Sequence, residues 1–115
     1  MEKEVKRILS FGKKILKKEI YKRIKKVKDE KELNALAKYS ILNFFERELY
    51  EIEKEIDRME NEERDSFFIE NGAILIPGKI KLFQAEFKEE DFYKLLELIN
   101  KTKEEIKNAQ SIEIV

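Results

Sequence analysis

The chain has 115 residues, of which 43% are charged, with 25 acidic against 25 basic residues and neither His nor Cys. This length fits one domain with a modest core. The missing residue types exclude disulfides, zinc–thiolate sites and the Ser-His and Cys-His catalytic triads.

The charges are segregated along the chain, although the formal net charge is zero. Residues 1–28 carry twelve Lys or Arg against three Glu, whereas residues 29–70 carry six basic against fourteen acidic residues. Such a separation of signs favours binding over catalysis. Abundant Lys and Glu beside few thermolabile residues is typical of a thermophilic source.

Composition also limits the compartment and the ligands that we expect. No apolar run approaches the ~20 residues that a membrane span needs. No apolar signal-peptide core follows the basic N-terminus. We therefore expect a cytoplasmic protein with no membrane span, no metal and no cofactor.

Residues 2–28 predict a first helix, because apolar residues recur on one face at steps of three and four. The residues of this stripe are Val5, Ile8, Leu9, Leu16, Ile20, Ile24 and Val27. Phe11 points away from the stripe, and two interpretations stay open: Phe11 is exposed for a contact, or the helix breaks near Ser10–Gly12. Arg23 falls within the stripe, where we expect it to snorkel to the surface or to pair with a carboxylate.

Asp29 marks the start of a second helix, which we expect to run from Glu30 to about Arg64. Asp is a preferred N-cap residue. The apolar seam then steps by four and three in a coiled-coil-like pattern through Phe45, Leu49, Ile52, Ile56 and Met59. Leu33 and Leu36 lie off this seam, which leaves open a separate short helix at the start.

The two helices predict a long antiparallel hairpin over residues 1–64, with its turn near Asp29. In this arrangement the acidic segment 46–63 lies beside or beyond residues 1–12. The basic segment 13–28 is then not neutralised within its own hairpin, and one end of the hairpin is positive while the other is negative.

After Arg64 the pattern indicates strands. Two apolar segments flank Asn71-Gly72, the dipeptide of a two-residue β-hairpin turn. Pro77-Gly78 suits a second turn before a third strand at residues 79–83. Residues 89–109 predict a further helix, and the alternation in Ser111–Val115 indicates a fourth strand.

The predicted fold class is therefore α+β in a single domain, residues 1–115. A helical hairpin (1–64) is followed by a three- to four-stranded antiparallel meander with one further helix (65–115). The first two strands are apolar on both faces, unlike a sheet with one wet face. Burial by the same chain is one explanation, but we expect a homo-oligomer whose interface includes Phe67, Ile69, Ile74 and Ile76.

The first helix also predicts a basic face with Tyr21 at its margin, formed by Arg7, Lys14, Lys18, Lys22 and Lys25. Nine Lys or Arg within residues 13–28 are typical of a polyanion-binding surface, for which nucleic acid is the leading partner. An acidic protein surface, an anionic lipid surface or mere solvation of the helix are the alternatives. No zinc-finger, basic-zipper, RRM or helix-turn-helix pattern accompanies the basic residues.

We therefore expect a non-enzymatic binding or assembly module. One alternative is a protein–protein scaffold that self-assembles through its complementary basic and acidic helix segments. A small enzyme that uses only carboxylates and lysines is the third candidate, since the acidic helix carries many Glu but no sequence feature predicts a pocket around them.

Overall fold

The computed structural model describes residues 1–112, and this part of the chain is all-helical, with no β-strand. Its helices are α1 (Lys3–Ile15), α2 (Lys18–Lys25), α3 (Glu30–Asn61), α4 (Phe67–Ala73), α5 (Ile76–Glu86) and α6 (Glu89–Ile112). The α+β prediction is therefore wrong. The chain divides into two compact units, Met1–Glu46 and Arg47–Val115, and the boundary falls within α3.

In the first unit, α1 runs parallel to the first part of α3. The backbone N–H of Glu2 donates to Glu30 Oε1 at 2.8 Å, and the Nζ of Lys38 donates to Glu4 Oε1 at 2.9 Å. Further along both helices, a Cβ on Gly12 would lie 4.0 Å from Ile41 Cδ1. Because the partners advance in the same order along both helices, the predicted antiparallel hairpin over residues 1–64 is wrong.

A break between α1 and α2 reverses the chain and produces this arrangement. Leu16 and Lys17 have extended backbone, at φ −85°, ψ 151° and φ −60°, ψ 145°. The short helix α2 leads back before α3 starts. Asp29 caps α3, as the sequence predicts, because its Oδ1 accepts a hydrogen bond from the Lys31 N–H at 2.9 Å.

The position of the break also explains Phe11. Helix α1 continues through Gly12, and Phe11 is buried, so neither interpretation from the sequence is correct. The stripe that placed Phe11 on the wrong side included residues of α2, which do not continue the face of α1. The buried face of α1 itself consists of Val5, Ile8, Leu9, Phe11 and Gly12.

Helix α3 is continuous from Glu30, with no separate short helix at its start. Leu33 is buried, whereas Leu36 is exposed. Of the predicted seam, Phe45, Ile52, Ile56 and Met59 are buried, and Leu49 is half-buried. Before Phe45 the buried positions step by four, which keeps them on one slowly turning side of the helix.

In the second unit, the last part of α3 runs parallel to α6. The Lys103 Nζ lies 2.8 Å from Glu48 Oε2, and the Gln110 Nε2 donates to Glu55 Oε2 at 2.9 Å. The two contacts are seven residues apart on each helix, so the two helices advance together. Helix α6 confirms the predicted final helix and extends it to Ile112.

Helices α4 and α5 run antiparallel to α6. A Cβ on Gly72 would lie 3.4 Å from Thr102 Oγ1, and the Phe83 and Phe92 rings are 5.8 Å apart. Phe87 has φ 50° at the end of α5, and its ring packs 4.5 Å from that of Phe83. The left-handed residue reverses the chain into α6.

The predicted meander is absent because the apolar residues follow a helical period. The buried positions step by four and three along Ile69, Ala73, Ile76, Ile80, Phe83 and Phe87. Asn71 and Gly72 lie inside α4, and no glycine has a positive φ. Pro77 occupies the second position of α5, where its missing N–H is not needed. Of the predicted fourth strand, residues 111 and 112 end α6, and residues 113–115 lie outside the described residues.

Candidate polyanion-binding surface

The five predicted basic residues occupy two helices. Arg7 and Lys14 lie on α1, whereas Lys18, Lys22 and Lys25 lie on α2. Because the break at residues 16 and 17 separates the two helices, the five side chains do not share one continuous helix face.

The three lysines on α2 do share a face. They follow one another at steps of four and three, and all three are exposed. Among residues 1–112, no carboxylate oxygen lies within 4 Å of their ammonium groups. We call Lys18, Lys22 and Lys25 the α2 basic surface.

Tyr21 borders this surface. Its ring lies beside α1, where Cδ1 would be 3.8 Å from a Cβ on Gly12. The Nζ of Lys25 lies 5.6 Å from the ring centroid, within the range of a cation–π contact. Tyr21 thus lies between α1 and the Lys25 ammonium.

Arg7 does not belong to the α2 basic surface. It is half-buried, and its Nε is buried without a hydrogen-bond partner. Its neighbour Glu4 has a pKa below the usual range, because of the hydrogen bond and charge of Lys38, with a smaller contribution from the charge of Arg7. Arg7 therefore lies near the Glu4–Lys38 ion pair, which joins α1 to α3. Lys14 is exposed in the last turn of α1.

Arg23 does not lie where the sequence predicts. It is exposed, along with Lys17 and Lys26, and does not lie in a buried stripe. Within α2 the buried residue is Ile24, and Ile20 is exposed. Treating α2 as a separate short helix would have removed Arg23 from the stripe predicted on the first helix, but nothing in the sequence marks where α2 begins.

The acidic segment of α3 is partly neutralised within its own unit. Glu48 pairs with Lys103, and Glu55 pairs with Arg58 at 2.7 Å while it accepts the hydrogen bond from Gln110. These contacts reduce the negative charge that the segment offers to another molecule.

An open groove of about 400 Å³ lies near these acids, between α3 and α6. Ile52 and Ile106 form part of its lining, with Glu48, Glu55 and Lys103 among its polar residues.

Residues 1–112 contain no group of three or more acidic side chains that is placed to hold a metal ion. Within the same residues, no helix combines the length and the apolar character needed to cross a membrane.

The predicted oligomer-interface residues have two different environments. Ile69 and Ile76 are buried in the core of the second unit, so the chain itself covers them. Phe67 and Ile74 are exposed.

No protein-family model, curated protein or solved structure matches the chain.

Proposed function

We propose that the chain is a small non-enzymatic binding module that binds a polyanion, with nucleic acid as the leading partner, through the α2 basic surface. The observation that supports this function is the set of three exposed lysines on one helix face with no carboxylate partner within residues 1–112. Ammonium groups in this condition attract a phosphate backbone most strongly, because no internal ion pair has to be broken first.

The spacing of the three lysines fits a nucleic-acid strand. Lys18 and Lys25 are seven residues apart, which is about 10 Å along a helix at 1.5 Å per residue. That length spans neighbouring phosphates of one strand, whose charges advance by about 3.4 Å each along the axis of a duplex. Lysine is a point charge that contacts phosphates without reading base edges, so we expect binding that does not depend on sequence.

The structure gives less support to a scaffold assembled from complementary charges. Glu48 and Glu55 already have partners in their own unit, so binding to the lysines of another copy would have to compete with Lys103 and Arg58. The carboxylate and lysine enzyme is supported still less, because the same two acids are engaged in the groove that they line.

Fluorescence anisotropy with labelled single- and double-stranded oligonucleotides of about 20 nucleotides, at about 50 mM salt, tests the proposal. The variant Lys18→Ala/Lys22→Ala/Lys25→Ala removes the α2 basic surface. The matched control Lys31→Ala/Lys54→Ala/Lys101→Ala removes three exposed lysines elsewhere. We expect the first variant to bind at least about tenfold more weakly, and the control to change by less than about twofold.

A further variant separates the α2 basic surface from the basic residues of the sequence prediction. Arg7→Gln should leave the affinity unchanged, because Arg7 is half-buried beside Glu4 and Lys38. Equal losses in the α2 variant and its control would show attraction to net charge alone. No binding at low salt, together with an oligomer that dissociates at high salt, would favour the scaffold instead.

A further inference from the structure

The segment from α4 to α5 carries a second, independent surface, which is exposed and apolar. Five large apolar side chains on it are exposed, by 60%, 76%, 77%, 55% and 51% of their surface: Phe67, Phe68, Ile74, Leu75 and Leu82. We call these residues the apolar stripe. The rings of Phe67 and Phe68 pack edge to face at 5.6 Å, so they form one surface.

The exposure is not a by-product of composition. In a chain with 43% charged residues, residues 66–78 contain a single charged side chain, Glu70. The opposite side of the same segment already fills the core with Ile69, Ala73, Ile76, Ile80 and Phe83. The segment is thus apolar on two sides, and the chain buries only one of them.

Helical spacing aligns the stripe. Ile74 and Leu75, between the two helices, keep right-handed helical backbone at φ −62°, ψ −22° and φ −81°, ψ −20°. Phe67 and Ile74 are therefore two turns apart on one side, as are Phe68 and Leu75, and Leu75 and Leu82. The apolar residues run along the segment and do not scatter around it.

The area of the stripe is close to what one subunit contributes to a dimer. At about 200 Å² for a fully exposed side chain of this size, the five residues present roughly 600 Å². The largest apolar patch on a typical monomer is about 300–600 Å². Each partner in an interface of standard size contributes about 800 Å².

The charges beside the stripe indicate which partner fits. Glu70 and Lys81 are eleven residues, or three helical turns, apart, so they flank the stripe on the same side near opposite ends. Among residues 1–112, Lys81 has no carboxylate within 4 Å. Glu70 lies against Glu60, whose pKa is raised by the hydrogen bond and charge of the Glu70 carboxylate. The flank therefore carries an anion near one end and a cation near the other.

We infer that the apolar stripe binds a second copy of the chain, in an antiparallel arrangement about a two-fold axis near Ile74 and Leu75. This arrangement places Phe67 of each copy against Leu82 of the other. It also places Glu70 beside Lys81 of the other copy twice, whereas a parallel two-fold arrangement would put the two flanks on opposite sides of the interface and form neither contact. The inference is independent of the α2 basic surface, since the apolar stripe lies in the second unit and α2 in the first.

Light scattering and analytical ultracentrifugation over micromolar to millimolar concentrations test the inference. We expect a concentration-dependent monomer–dimer equilibrium that Ile74→Lys shifts to monomer, while the control Tyr50→Lys, at an exposed apolar residue outside the stripe, leaves it unchanged. Circular dichroism verifies that both variants keep their helices. A monomer mass at every concentration overturns the inference, whether or not the protein then binds anionic lipid vesicles.

Single-cysteine variants test the geometry, because the chain has no Cys of its own. The variant Leu75→Cys changes a residue near the axis and should form a disulfide-linked dimer under mild oxidation. The variant Leu82→Cys should not, because its two thiols would lie about 20 Å apart, far beyond the ~7 Å limit between Cα atoms. A covalent dimer of the Leu82→Cys variant, with none of the Leu75→Cys variant, overturns the antiparallel arrangement.

A charge-reversal series tests the paired flanks. Lys81→Glu alone should weaken dimer formation by at least about tenfold, since it opposes two carboxylates at each flank. The double variant Glu70→Lys/Lys81→Glu should restore the affinity. A double variant as weak as the single one excludes the contact between Glu70 and Lys81.

Discussion

Within residues 1–112, two non-glycine residues adopt left-handed backbone, and their side chains differ in what they contribute. Glu63, with φ 58°, ends α3 in a position where glycine is preferred, and its side chain is exposed. The Arg64 N–H bonds the Met59 carbonyl at 2.8 Å across this turn. Phe87, with φ 50°, is buried against Phe83.

These two residues should therefore respond oppositely to glycine. We expect Glu63→Gly to raise the free energy of unfolding by about 1 kcal/mol, because it relieves the left-handed strain and loses no packing. Phe87→Gly relieves similar strain but removes a buried ring, so it should lower stability by about 2–4 kcal/mol. Urea titrations of both variants measure the two signs. Stabilisation by Phe87→Gly would contradict the role of its ring in the core.

Glu60 predicts a pH dependence at the side-chain level. The carboxylate of Glu70 and, more weakly, that of Asp57 raise the pKa of Glu60 above its ordinary value of 4.5. The folded chain therefore holds this proton more tightly than the unfolded chain. Stability is lost as the pH rises from about 4.5 through the raised pKa of Glu60.

Glu60→Gln should accordingly raise the melting temperature at pH 7, with no difference from the native chain below about pH 4, where Glu60 is protonated in both states. Glu97→Gln, at an exposed position on another helix, serves as the control for loss of charge. An equal gain at both pH values would point to packing, not to repulsion between carboxylates.

Replacing a glycine inside a helix by alanine should stabilise the fold where there is space for the added Cβ. A Cβ on Gly78 of α5 would meet nothing within 4 Å, whereas a Cβ on Gly12 of α1 would lie 3.2 Å from Leu16 Cδ1. Gly78→Ala should stabilise the fold by about 0.5–1 kcal/mol.

Gly12→Ala should gain less, because Leu16 has to shift. Thermal unfolding at one low protein concentration compares the two, since self-association would otherwise change the midpoint. A larger gain from Gly12→Ala would contradict the close approach at that residue.

Element types were predictable where one period dominates. The apolar seams predict helices α3 and α6, and the preference for Asp at N-caps predicts that Asp29 caps α3. The segment of α4 and α5 was predicted as strands for two reasons. Asn71-Gly72 is a strong local turn signal. The exposed apolar residues also stand between the buried ones in the sequence, which hides the helical period. The spacing of the buried residues separates helix from strand only once the exposed ones are known.

The sequence shows that the charges are segregated along the chain, but it does not show where the fold places them. Leu16 and Lys17 have good helix propensity, and neither is Gly or Pro, so the local sequence does not predict the break. That break places α1 parallel to α3 and leaves Lys18, Lys22 and Lys25 on a short helix of their own. The α2 basic surface thus contains three of the five predicted basic residues, because the reversal of the chain after α1 separates them from Arg7 and Lys14.

The salt dependence of oligonucleotide binding tests the function of this surface most directly. Three phosphate contacts predict that log K falls with log salt at a slope of about −2.7 on duplex DNA, or roughly 40-fold from about 50 to 200 mM. Replacing Lys18, Lys22 and Lys25 by Ala should flatten the slope to near zero, and replacing Lys31, Lys54 and Lys101 should leave it unchanged. A slope that the α2 substitutions do not alter would contradict polyanion binding through α2.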